Sequence, residues 1–296
     1  MKEISFLAVF LMIITTACNN NRSETTQENF EYQESAPLND EIKEVLYSMY
    51  LPTDMADIFS RSGTNFNPDI PASIENLSIY EEPEQVAVLL GILGVDLTYM
   101  KLYGQSEAAA QYLAAIRLVS QKLKIPEEVF SESSKNLEKY FSNEDSLAIV
   151  IENIYKDTDR FFKEHGYENL AALSLTGGWV EAMYIGCEIL KADMGNKILA
   201  ERILQQKYSL NSIYTMLRNH EESLAVSEYL LMLKKLRKQL ARVEIRYQKE
   251  GFSVDTAQKK LQSYNALITY DDETMNDLLL YVPLVRNALL EPRLPE

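Results

Sequence analysis

The chain is poor in the residues that most often carry chemistry. It has two histidines, two cysteines and one tryptophan among 296 residues. His165 and His220 both fall at expected helix ends, and no His stands at metal-ligand spacing from carboxylates, so no metal site is read. There is no Gly-rich phosphate loop, no Gly-x-Ser-x-Gly elbow and no His-Glu-x-x-His run, and no cofactor is expected. Positive charge is also short, with 29 Lys and Arg against 44 Asp and Glu, a net charge of −15. That balance speaks against nucleic acid as a partner and against docking on anionic lipid headgroups. Ten Gly and nine Pro leave few breaks, and the apolar period is 3.6 nearly throughout. The expected fold is therefore all-α, an antiparallel helical bundle or array.

What is present begins with the leader. Lys2 gives a weak charged start, Phe6 to Ile14 is almost wholly apolar, and Thr15-Thr16-Ala17 precede Cys18. This reads as a signal peptide over 1–17. A Cys directly after it resembles the lipobox of bacterial lipoproteins, although Thr15 stands where Leu is more usual. The resemblance implies that Cys18 is lipidated and anchors the protein to a membrane, outside the cytoplasm. Asn19 stands where an Asp commonly signals inner-membrane retention in Gram-negative lipoproteins, which leans towards the outer membrane. Residues 18–38 then form the lipidated Cys and a polar tether too poor in apolar groups to order itself. With Cys18 acylated, Cys187 is left without a disulfide partner. It lies among Ile185, Ile189 and Leu190 and reads as a buried, inert thiol.

Residues 39–296 read as a single helical domain. Helices are expected over Asn39–Tyr50 and from Thr53 to Gly63, followed by a long surface connection over 64–82. Two internal repeats follow, about 83–166 and 168–251, with closing helices over 254–291. The first repeat gives helices over Pro83–Tyr103, Ser106–Lys124, from Pro126 through Phe141, and from the cap Asn143 to His165. The second gives Glu168–Lys191, Met194–Tyr208, a short helix capped by Ser209, and Glu221–Glu250. The last two helices are Val254–Leu267 and Asp272–Leu290, with Pro283 expected to kink the final one.

The repeats rest on a match at an offset of 85 positions. Val95-Asp96-x-x-Tyr99 lies over Val180-Glu181-x-x-Tyr184, and RLVSQKLKI, Arg117 to Ile125, lies over RILQQKYSL, Arg202 to Leu210. Asp96 and Tyr99 share a helix face, and both acids sit in largely apolar helices. Two readings stay open. In one, Asp96 pairs with Arg117 and Glu181 with Arg202 as buried structural ion pairs, the tyrosines donating to the acids. In the other, Asp96, Tyr99, Glu181, Tyr184 and Trp179 line a small-ligand cleft between the repeats, with Gly177-Gly178 leaving room. Two adjacent glycines within a helix cost about 2 kcal/mol against Ala, and the usual return is close approach of another backbone or a bend.

The segments YLPTDMADIFSRSG (Tyr50 to Gly63), GVDLTYM (Gly94 to Met100), NEDSL (Asn143 to Leu147) and GGWVEAMY (Gly177 to Tyr184) together resemble an uncharacterised group of all-helical bacterial lipoproteins. The resemblance covers roughly residues 45–215, implies a helical fold, and carries no assigned activity or functional residues. The first functional expectation is a lipid-anchored, non-enzymatic envelope module that binds a partner protein or serves as a scaffold. The alternative is a small-ligand or solute-binding lipoprotein, and a weaker one a carboxylate-dependent hydrolase.

Overall fold

The most apolar helix of the chain is also its centre. In the computed structural model, which describes residues 65–127, 129, 144–247, 252–255, 260–263 and 266–292, α1 spans Pro83–Leu102. Pro83 suits the first turn, where its missing N–H is no loss. The helix ends where Gly104 takes a positive φ and Gln105 N–H bonds back to the Met100 carbonyl. Every residue from Gln85 to Met100 is buried, so α1 has no solvent face. Among the described residues α1 alone is long and apolar enough to cross a membrane, and 89% of that window is buried in the body.

Around it stand α2 (Ser106–Lys122), α3 (Glu144–Glu164), α4 (Glu168–Ala192), α5 (Lys197–Arg218), α6 (Leu224–Ala241) and α7 (Asp272–Leu290). The body is predominantly all-α, its helices packed on one another. The central contact is α1 against α4. A Cβ on Gly91 would lie 1.8 Å from the Ser174 carbonyl oxygen, and one on Gly177 would lie 2.1 Å from that of Val88. The glycines thus let two backbones touch, the expected reason for accepting Gly177-Gly178 within a helix. α2 packs on α1, α5 and α7 pack on α4, and α6 closes over α5 and α7. All described residues belong to a compact unit from Asn39 to Glu296.

Three features depart from the expectation. First, the described part of the 64–82 stretch, 65–82, runs over the surface as expected but is pinned to the body, burying Ile70, Ala72, Leu77 and Tyr80 and making a 3-10 turn at Leu77–Ile79. Its lack of period reflects contacts made one residue at a time rather than along a helical face. Second, α5 runs unbroken through Ser209, because Leu204, Leu210, Ile213 and Leu217 continue one buried stripe. Its cap is Asn196, whose side chain accepts from Leu199 N–H. Third, α6 stops at Ala241, and strands follow where helix was expected as far as Glu250 and again over Val254–Leu267. β1 (Glu244–Tyr247) pairs antiparallel with β4 (Ala266–Thr269), and β2 (Phe252–Asp255) with β3 (Lys260–Ser263). Val243, Ile245 and Tyr247 alternate with polar residues at period two, which suits a strand. Lys207 Nζ adds a stop to α6 by donating to the Val243 carbonyl at 2.8 Å.

Pro283 lies inside α7. The leader, Cys18, the tether, the helices expected over Asn39–Tyr50 and Thr53–Gly63, the helix from Pro126 through Phe141 and the cap Asn143 lie outside the described residues.

Candidate functional site: a buried carboxyl pair

Because α1 and α4 touch through their glycines, the acid one turn beyond on each helix is carried to the same place. Asp96 and Glu181 are both 0% exposed, and they lie near enough that each shifts the other's hold on a proton. Two further groups close the cluster. Arg286 of α7 donates from Nε to Glu181 Oε2 at 3.0 Å and from Nη2 to Oε1 at 3.1 Å. Ala72 N–H donates to Asp96 Oδ2 at 3.0 Å. Asp96 Oδ1 is buried and meets no donor among the described residues.

The electrostatics follow from burial and from a shortage of positive charge. Burial first, then the adjacent Glu181 carboxylate, hold the Asp96 carboxyl well above the usual range. Burial also raises Glu181, but Arg286 opposes it with charge and with hydrogen bonds. The pair therefore gives up its proton above the ordinary carboxyl range, and Asp96, the member without the arginine, is raised the more.

The tyrosines serve the surroundings of the cluster rather than the acids directly. Tyr99 Oη accepts from Asn67 N–H at 3.0 Å, and its ring packs against Phe66 and Tyr103. Tyr112 Oη donates to the Ala72 carbonyl, on the same residue whose N–H holds Asp96. Tyr184 lies with its ring 4.6 Å from the Arg286 guanidinium, a cation–π contact. Trp179 is buried, and its Nε1 has no partner among the described residues.

The arginines are where the sequence reading is corrected. Glu181 pairs with Arg286, not Arg202. Arg202 is exposed and donates to Gln205 on its own helix at 3.2 Å. Arg117 is half-buried on α2, and no acid among the described residues pairs with it. Both point away because α2 and α5 turn their apolar stripes inward, and each arginine stands beside that stripe. The matched Lys122 and Lys207 do act alike. Lys122 Nζ donates to the Leu77 and Tyr80 carbonyls at 2.8 and 2.6 Å, much as Lys207 binds the carbonyls after α6. Arg286 itself left a readable signal: it falls in the apolar stripe of α7 with Leu279, Val282 and Leu289.

Chemically the arrangement is closed. The room beside Gly177 is filled by Val88 backbone rather than left open. Both carboxyls are wholly buried, whereas a glycosidase pair must stand open to a sugar and a water. The cation position beside Glu181 is taken by a guanidinium, and among the described residues no group of His, Cys, Asp and Glu is placed to hold a metal ion. Comparison of the chain with protein-family models, curated proteins and solved structures finds no match.

Proposed function

We propose that this protein is a lipid-anchored helical module of the cell envelope that acts without catalysis, as a scaffold or by binding a partner protein through its surface. The reading attaches it through Cys18 to a membrane, on the outer-membrane side of a Gram-negative envelope, with 19–37 as a flexible spacer and a duplicated helical unit as its body. The observation that carries the non-enzymatic part is the state of the acids. Asp96 and Glu181 are wholly buried and filled by Ala72, by Arg286 and by each other. That is how a structural polar cluster is built, since buried charges persist when paired and hydrogen-bonded. The −15 net charge supports a protein partner over nucleic acid.

The anchor is tested by labelling cells with a fatty-acid analogue and comparing the natural chain with Cys18→Ala. The reading expects label and membrane fractionation for the first and neither for the second; an unlabelled, soluble natural chain would refute it. The non-enzymatic part is tested by adding envelope glycans, peptides and lipids to the purified protein. Turnover that disappears in Asp96→Asn or Glu181→Gln would overturn it.

A further inference from the structure

The carboxyl pair also ties down the stretch of the described body that is not organised by a long helix. Over residues 65–80 the backbone is held largely by side chains from elsewhere. Asn67 N–H goes to Tyr99, Ala72 N–H to Asp96, and the Ala72 carbonyl to Tyr112. The Ile70 carbonyl accepts from Arg286 Nη2 at 3.4 Å, and Lys122 takes the carbonyls of Leu77 and Tyr80. Tyr80 Oη in turn donates to the Leu290 carbonyl at the end of α7 at 2.9 Å. This strap lies across α1, α2 and α7, with Asp96 at its middle.

The groups around Asp96 can be counted by charge. Glu181 and Tyr184 come from α4, Arg286 from α7, Tyr112 from α2, Tyr99 from α1 itself and Tyr80 from the strap. Burial pushes each of these phenols up, so they stay neutral through the pH range in which carboxyls titrate. Two carboxyls then face one guanidinium. Fully ionised, the cluster would bury an uncompensated negative charge, with Asp96 Oδ1 unsatisfied beside another carboxylate. A single proton on Asp96 removes both faults and leaves Oδ2 for Ala72.

We propose that the buried Asp96 carboxyl, held between Ala72 N–H and Glu181, is a latch that closes the 65–80 strap onto the helical body, and that ionising it opens the strap before the helices separate. The strap is the part that yields, because α1 and α4 remain joined by backbone contact and apolar packing. An ionised Asp96 is repelled by Glu181 and can relax only by moving with Ala72. Among the described residues the strap precedes α1 and joins no two helices. None of this depends on the envelope role.

The test is amide hydrogen exchange on the full-length Cys18→Ala chain from mildly acidic to alkaline pH, corrected for intrinsic exchange. Protection of the Asn67, Ala72 and Ile79 amides is expected to fall by about tenfold per pH unit once the proton begins to leave, while α4 and α6 keep theirs. In Asp96→Asn, whose side chain cannot ionise, strap protection is expected to stay constant. Loss of protection in strap and helices together, or an unchanged pH dependence in Asp96→Asn, would overturn the proposal. Should Asp96→Asn not fold, infrared spectroscopy of the unsubstituted chain decides. A protonated-carboxyl band that persists above the ordinary carboxyl range and fades as the strap opens supports the latch, and its absence above that range refutes it.

Discussion

Arg286 grips both oxygens of Glu181, a residue 105 positions earlier in the chain, and so fastens the last helix to the middle of the body. The guanidinium side chain is only 11% exposed and that of Glu181 is fully buried. Removing the arginine leaves two buried carboxyls with no cation. Arg286→Met is expected to cost about 3–5 kcal/mol, measured by urea unfolding. Arg286→Lys, which keeps the charge but loses the forked geometry, should recover part of that loss.

The glycine contact between α1 and α4 gives a second prediction, with its own control. Gly91→Ala and Gly177→Ala each place a methyl within about van der Waals overlap of backbone, and should lose about 1–3 kcal/mol or more. Gly186 lies in the same helix as Gly177, but a Cβ there would meet Ile203 Cγ1 at an ordinary 3.4 Å. Gly186→Ala should be neutral or gain up to about 1 kcal/mol from helix propensity. Calorimetric melting of the three variants checks the order.

Cys187 is fully buried, and burial pushes its thiol up to about 12. In Cys18→Ala, where it is the sole thiol, it should not react with a disulfide reagent near neutral pH. It should react promptly once urea unfolds the chain. Reaction in the native state at the rate of a free thiol would mean that α4 is not packed as described.

Much of the helical frame was legible in the chain. Pro83, Gly104, Gly166 and Asp272 mark the ends of helices that run between them, because each acts within one turn of its own position. The strap and the ribbons were not legible for the opposite reason. Ala72 and Asn67 are positioned by Asp96 and Tyr99, two dozen or more residues away, and no local pattern announces that. The strand signal at Val243, Ile245 and Tyr247 is short and directly follows a strong helix, so a 3.6 period was carried past its true end. The two acids were found by the match between Val95-Asp96-x-x-Tyr99 and Val180-Glu181-x-x-Tyr184, but their partner was not. Arg286 lies outside the matched segments, and the signal it left, its place in the apolar stripe of α7, was not read.

The pH dependence of stability follows from the proton. Asp96 in the fold releases its proton at a higher pH than in the unfolded chain, where an Asp titrates near about pH 4. Its contribution is therefore complete below that value and is lost as pH rises through the folded transition, at up to about 1.4 kcal/mol per pH unit. Glu181 is raised in the same sense. Asp96→Leu, which strands the Ala72 N–H, should lose about 1–3 kcal/mol at neutral pH by urea unfolding.

The most direct measurement is the free energy of unfolding of the full chain carrying Cys18→Ala, with and without Asp96→Asn, from mildly acidic to alkaline pH. The account predicts that the parent loses stability as pH rises. It predicts that the Asn variant is nearly as stable at neutral pH and flat with pH, because the amide replaces a protonated carboxyl atom for atom. A parent with flat stability, together with a variant several kcal/mol weaker at every pH, would mean that Asp96 is ionised in the fold. The shared proton, and the closed cluster built on it, would then be wrong.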